Sequence, residues 1–420
     1  MNLARFVLIV AILASVVAGT LALVSRTPAS VRAEARRGST DPSLGATFTD
    51  DQTASHGAYR GSAYLSYFLS LGLQVIVLVL LARGPLRGAM DRVGAWPGGW
   101  VTRALVAAAL VSAALWLATL PLDYVRGYAM GHAWGLSTQT LGGWVGDQLR
   151  GAAVGLVFAE IAAIAFYGVI RWQPRSWWWI GWLTFSVLSA VLVFIWPVVV
   201  APLFNRFTPL PDGPLKDRVV ALADEAGVEV GEVLVSDASR RTTSENAYVA
   251  GLFGSKRLVL YDTLIEKGDE DETAFVVAHE LGHNVEGHVP KGVALSVLGL
   301  FLSFVVLRWL ASLDGPWRWA GAGGIGDVKA LPVLLLFSII ASFAALPVEN
   351  AVSRRFEATA DRVAISLTED PQTAVKVFRR LAFSNISDLR PPQIAVSLFF
   401  SHPPTRDRIE QLLAPRSPGP

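Results

Sequence analysis

No cysteine occurs among the 420 residues of the chain. That absence removes disulfides, thiol nucleophiles and thiolate metal sites from consideration. Charge is scarce as well: Asp, Glu, Lys and Arg make up 17% of the chain and balance to a formal +2. So small a surplus, with no Lys/Arg-rich block, excludes a surface that tracks phosphates, and no nucleic acid partner is expected. What fills the chain is apolar. With 52% hydrophobic residues and a mean hydropathy of +0.45, it reads as an integral membrane protein rather than a soluble enzyme.

About 20 helical residues at 1.5 Å rise cross a bilayer core, so apolar runs of about 18 or more mark spans. Seven such runs lie near 6–24, 63–82, 104–122, 152–170, 177–203, 293–311 and 331–348. The fifth opens on Trp177, Trp178 and Trp179, as an interfacial aromatic belt does; the seventh is short and closes at Pro347. The first follows Arg5 and is read as a retained helix, because its 19 apolar positions exceed the ~7–15 of a cleaved signal peptide. The expected organisation is an N-terminal five-helix region, 1–203; a first catalytic segment, 204–291; two spans within 292–348; and a second catalytic segment, 349–420, with helices over 349–367, 371–381 and 404–413. Residues 38–60 and the tail from Pro415 read as loop or disorder from their Gly, Ser, Thr, Asp and Pro content, which leaves His56 solvated, as His132 is in its own loop.

Only 6 histidines are present, and two of them form His279-Glu280-Leu281-Gly282-His283. On a helix these two rings fall one turn apart on one face, able to share one zinc ion, with Glu280 beside it to act on water. Asp269, Glu270, Asp271 and Glu272 supply the acidic first turn that a helix start favours. A structural zinc is usually closed by four ligands rich in cysteine, which is lacking; a catalytic zinc takes three and leaves one position open. The third comes from 350–361, where Asn350, Arg354, Glu357 and Asp361 recur at i, i+4, i+7 and i+11. Glu357 is the best ligand, and Asp361 one turn on can accept from a ligand histidine's other ring nitrogen. His288 is rejected as a ligand, since on one continuous helix it points about 180° from His279.

Taken together, the chain resembles the CAAX prenyl proteases, seven-span membrane zinc metallopeptidases. The resemblance rests on Asn205 to Gly213 after the fifth span, Arg240 to Tyr248, Asn350 to Asp361, and Ser401-His402-Pro403-Pro404 with Arg408-Ile409, beside the histidine motif. It implies a predominantly α-helical membrane protein of about seven transmembrane helices around a water-filled chamber. A zincin-like catalytic domain with a small β-sheet would hold one Zn2+ per chain at the chamber roof. It assigns His279, His283 and Glu357 to zinc, Glu280 to water activation, and Asp361 as an acid or, preferably, as the orienter of a ligand histidine. Asn246, Ala247 and Tyr248, in the stretch 246–250, are expected on an exposed edge strand that pairs with extended substrate, with Arg408 as a further substrate contact. His402 can donate to the oxyanion.

The expected protein is thus a membrane zinc metalloendopeptidase of a bacterial cell membrane, monomeric, with its catalytic domain facing the cytoplasm. Its peptides are CAAX-type or otherwise hydrophobic, since no residue specifies an isoprenoid pocket. A heat-shock-type membrane quality-control protease shares the metal motifs but usually has fewer spans. A non-catalytic peptide-binding chamber clamped by zinc would have no use for Glu280.

Overall fold

In the computed structural model, which describes residues 27, 29–35, 48–250 and 256–413, the first long helix starts at a reciprocal cap. Thr49 accepts from the Gln52 amide and the Gln52 side chain accepts from the Thr49 amide, satisfying two otherwise orphaned donors. The helix Asp50–Ala82 therefore begins well before the apolar run, which corrects the expectation of loop through residue 60. Composition pointed to a loop; the capping box and Asp50 and Asp51 in the first turn outweigh it. His56 is corrected too. It is fully buried, with Nδ1 2.6 Å from the Ser387 carbonyl and Nε2 2.9 Å from that of Ala35. The expected span 6–24 and the tail from Pro415 lie outside the described residues.

Six helices among the described residues are long and apolar enough to span a membrane: Asp50–Ala82, Trp100–Ala133, Leu141–Trp172, Trp177–Phe204, His288–Ala311 and Val328–Thr368. They coincide with the second to seventh expected runs. Two pass into π-helical turns, Tyr124–Met130 and Trp196–Val200, close to Pro121 and Pro197, residues that interrupt the i→i−4 ladder. His132 lies in the short helix Gly131–Ala133 that follows the first of these turns. Between the spans, Ala104, Ala107 and Ala108 are buried beside Leu78, Leu81 and Tyr167, small residues that let helices approach closely.

Pro347 does not end its helix. Leu331–Thr368 runs unbroken for 38 residues, where two helices meeting near Pro347 were expected; one lost backbone bond is tolerated in a spanning helix whose neighbours supply other partners. The catalytic part of this helix is therefore a rigid extension of a membrane span.

A four-stranded sheet packs on the helix Glu270–Val285, which itself lies against that extension; its strands β1 (Phe207–Pro209), β2 (Glu232–Ser236), β3 (Ala247–Ala250) and β4 (Arg257–Tyr261) run in the order β1-β2-β4-β3. β1 pairs antiparallel with β2, β2 parallel with β4, and β3 antiparallel with β4, leaving β3 at an edge. Leu258 and Leu260 of β4, Phe275, Val277 and Leu281 of the helix Glu270–Val285, and Val377 and Phe378 of the helix Pro371–Ser384 form one apolar core. The two polar segments of the chain thus bury their apolar faces against each other.

Candidate metal centre

The helix Glu270–Val285 starts at Asp269, whose side chain caps the Glu272 amide while Glu272 returns the bond. Further along, His279 and, one turn later, His283 face the helix Leu331–Thr368. Gly282 sets that approach: a Cβ there would sit 2.9 Å from the Ala360 carbonyl oxygen, too near for any other residue without separating the helices. Ala360 lies between Glu357 and Asp361, so the same contact delivers both acids to the histidines.

His279 Nε2 is 3.2 Å from His283 Nε2 and 3.2 Å from Glu357 Oε2, and His283 Nε2 is 3.5 Å from Glu357 Oε1. Ligands at about 2.0–2.1 Å from a tetrahedral zinc are separated by about 3.3 Å, so the three donors already form a face of such a tetrahedron. Among the described residues, these three side chains form a group able to hold a metal ion together. Glu357 is buried at 6% exposure, and its Oε2 faces the ring nitrogens of His279 and His402 rather than water, so a cation among these donors would compensate a carboxylate taken out of solvent. The donor set fits zinc.

Behind His279, Asp361 Oδ1 is 2.8 Å from Nδ1. Arg408 grips the same carboxylate, Nε to Oδ2 at 2.8 Å and Nη2 to Oδ1 at 2.5 Å, with its guanidinium 3.7 Å over the Phe378 ring. Arg408 was expected at the substrate; its fork is engaged by Asp361, although the side chain also lines the cavity. Burial opposes a charge on His279, yet the hydrogen bonds to Asp361 and Glu357 outweigh it and push the imidazole up to about 9. His283 lacks such an anion at its back, and burial pushes it down to about 4. Burial also pushes the Glu280 carboxyl up to about 7, against a hydrogen bond from the Val249 amide.

Glu280, Asn246, Phe275, Tyr64, Phe399 and His402 line a cavity of about 340 Å³ beside the cluster. His402 Nε2 is 3.1 Å from Glu357 Oε2, its side chain half-exposed at the mouth. Asn246 precedes β3 and accepts from the Tyr261 amide. By antiparallel alternation the amides and carbonyls of Ala247 and Val249 then face the open edge, while Tyr248 faces β4. That open edge runs past Glu280.

Several contacts here escaped the sequence reading. His288 Nδ1 lies 2.9 Å from His283 Nδ1 and its Nε2 2.9 Å from Thr359 Oγ1; it stands outside the three-donor group, as expected, but against a donor's back. Arg380 pairs with Glu245, immediately before Asn246, and reaches Glu272 at 3.3 Å, tying the start of β3 to the histidine helix. Arg60 donates to the carbonyls of Ile386 and Asn385. Its place on a capped helix was the available signal.

Spanning helices, an edge strand and three converging metal donors define a membrane metallopeptidase. Residues 209–416 match the model of peptidase family M48, and residues 38–206 that of the CAAX prenyl protease N-terminal region, five membrane helices. The uncharacterized metalloprotease YhfN of Bacillus subtilis is 37% identical over 296 residues, 70% of this chain and 69% of that protein. CAAX prenyl protease 1 of Saccharomyces cerevisiae is 29% identical over 74% of this chain and 72% of its own. The Arabidopsis thaliana homolog of that protease is 32% identical over 70% and 69%. The crystal structure of S. mikatae Ste24p superposes with a TM-score of 0.76 at 25% identity, covering 96% of this chain and 98% of that one. The chain belongs to the CAAX prenyl protease family within peptidase family M48. It is a multi-pass membrane metalloendopeptidase.

Proposed function

We propose that the chain hydrolyses peptide bonds in hydrophobic or membrane-associated peptides, CAAX-type sequences among them, with one zinc ion held by His279, His283 and Glu357. The observation that carries this reading is the convergence of three donors at tetrahedral spacing with the Glu280 carboxylate and the start of an open strand edge, His279, Glu280 and Asn246 lining one cavity. Zinc at such a site supplies Lewis acidity, which polarises a carbonyl and acidifies water.

The remaining work falls to side chains. Glu280 takes the proton of the attacking water and returns it to the leaving amine. The outward amide and carbonyl of Ala247 and the outward carbonyl of Val249 pair with an extended peptide main chain, which makes recognition tolerant of sequence. His402, at the mouth, donates to the oxygen that gains charge. Asp361 holds the His279 ring in register from behind. Tyr64, Phe275 and Phe399 form apolar wall beside the strand and favour apolar substrate side chains.

The chain acts as a monomer, with its catalytic segments facing the cytoplasm of a bacterial cell. Arginines flank the spans on both sides, Arg83, Arg87, Arg92 and Arg103 on one and Arg32 and Arg60 on the other, so charge does not choose the orientation. A membrane-impermeant label on Asp212→Cys, a position whose side chain is 95% exposed, decides. Labelling in intact cells overturns the cytoplasmic assignment. For the activity, mass analysis of digests of prenylated and unprenylated peptides should show cleavage that a chelator abolishes and zinc restores. A zinc-loaded protein that cuts neither peptide overturns the reading.

A further inference from the structure

His288 is a buried histidine, 6% exposed, to which neither the spacing of the motif nor the chemistry above gives a task. It reaches its position through a break between two helices. The helix Glu270–Val285 ends at Glu286, Gly287 takes φ +62° in the left-handed region, and the next helix, His288–Ala311, starts at once. The reversal folds the His288 ring back onto the motif. There it stacks on Phe356, centroids 4.3 Å apart and planes 10° apart.

Hydrogen-bond directions along this row are fixed by chemistry. His283 Nε2 faces His279 and Glu357, so as a ligand through Nε2 it carries its proton on Nδ1. That proton has one acceptor within reach, His288 Nδ1 at 2.9 Å. His288 must then carry its own proton on Nε2, which points to Thr359 Oγ1 at 2.9 Å. The Thr359 hydroxyl in turn donates to the Phe356 carbonyl at 2.8 Å. Each group donates once in one direction, and the row ends on a backbone acceptor.

We propose that His288 is a positioning residue of the metal centre: a neutral imidazole that accepts from His283 Nδ1, selects the tautomer that presents Nε2 to the metal, and is itself anchored by Thr359. The inference rests on the metal-site reading above. It deepens that reading by giving the second histidine a partner equivalent in place, though not in charge, to the Asp361 of the first. Partners of this kind typically govern metal affinity by about 10–100-fold.

Two substitutions separate hydrogen bonding from packing. His288→Phe keeps a ring to stack on Phe356 and removes the acceptor; His288→Asn removes the ring and keeps an acceptor oxygen near the place of Nδ1. With the full-length protein in detergent, zinc is titrated against a competing chelator, and cobalt is substituted to record its visible spectrum. His288→Phe should lose about 10–100-fold in zinc affinity and alter the cobalt bands, and His288→Asn should stay within a few-fold of wild type. Thr359→Val should fall between them. Equal affinity and spectra for His288→Phe and wild type would overturn the assignment of His288 alone. So would a loss in His288→Asn as large as that in His288→Phe, the signature of packing. A wild-type protein that retains neither metal would overturn the metal site itself and this inference with it.

Discussion

His279 and His283 stand one turn apart on one helix and face one point, yet the protein backs them with opposite chemistry. His279 meets the Asp361 carboxylate, which Arg408 holds with both arms of its fork. His283 meets the ring of His288, which leans on Thr359. An anion behind a ring makes it a stronger donor to a cation but also lets it keep a proton; a neutral acceptor fixes orientation without adding charge. Accordingly His279 is pushed up to about 9 and His283 down to about 4. One flank gives strength of ligation, the other readiness.

The largest expected effect lies between the flanks, at Glu280. Glu280→Gln keeps all three donors and removes the base, so turnover should fall by about 10²–10⁴ while one zinc per chain stays bound. Glu357→Ala should do the converse and shed zinc. Product analysis and metal stoichiometry, measured on the same preparations, check both. Brisk cleavage by Glu280→Gln would end the assignment of the base; undiminished zinc in Glu357→Ala would remove residue 357 from the donors.

Next in size is the charged flank. Asp361→Asn leaves the Arg408 guanidinium, 13% exposed in its side chain, without its anion, and removing one partner of a buried pair costs about 3–5 kcal/mol. Zinc affinity should drop in the same variant by about 10–100-fold. Thermal unfolding and zinc competition measure the two losses. If Asp361→Asn melts and binds as wild type does, the contrast between the flanks is one of geometry without energy.

The sequence made the charged flank readable and hid the neutral one. Asp361 follows Glu357 by one turn of an unbroken helix, so spacing alone placed it. His288 was placed by the same rule and misplaced, because no proline interrupts 271–288; Gly287, free to adopt φ +62°, ends the helix instead. Pro347 misled in the other sense, since it lies inside a spanning helix that continues as far as Thr368. The polar composition of residues 50–60 outvoted the Thr49–Gln52 cap, and with it went the burial of His56 against Ser387, 331 positions away. Pairings such as Glu245 with Arg380 carry no local signature; they exist only once two distant segments share a core.

Proton release tests the electrostatic half of the comparison. With its folded value raised from 6.5 to about 9, His279 stabilises the metal-free fold fully below pH 6.5, and that contribution is lost as pH rises through about 9. At neutral pH zinc must displace this proton, whereas His283, held near 4, has none to give. Zinc affinity should therefore climb about tenfold per pH unit between 7 and 9, at about 1.4 kcal/mol per unit, and level off above. A chelator competition series across that window measures it. A flat profile would mean that Asp361 does not charge His279, and the two flanks would be electrostatically alike.

The smallest expected effect isolates the fork itself. Arg408→Lys retains a cation beside Asp361 but replaces two parallel N–H donors with a single flexible ammonium, and it loses the planar stack on Phe378. Charge compensation survives, so the fold and the zinc stoichiometry should hold. What weakens is the angle at which the carboxylate meets His279 Nδ1. A loss of about 1 kcal/mol, the scale of one hydrogen bond, corresponds to a fall of about fivefold in kcat with KM unchanged, and steady-state kinetics on one peptide resolve it. An Arg408→Lys enzyme as fast as wild type would show that Asp361 keeps its aim without the fork. The charged flank would then be ordered no more tightly than the row of neutral groups behind His283, and its advantage would reduce to charge alone.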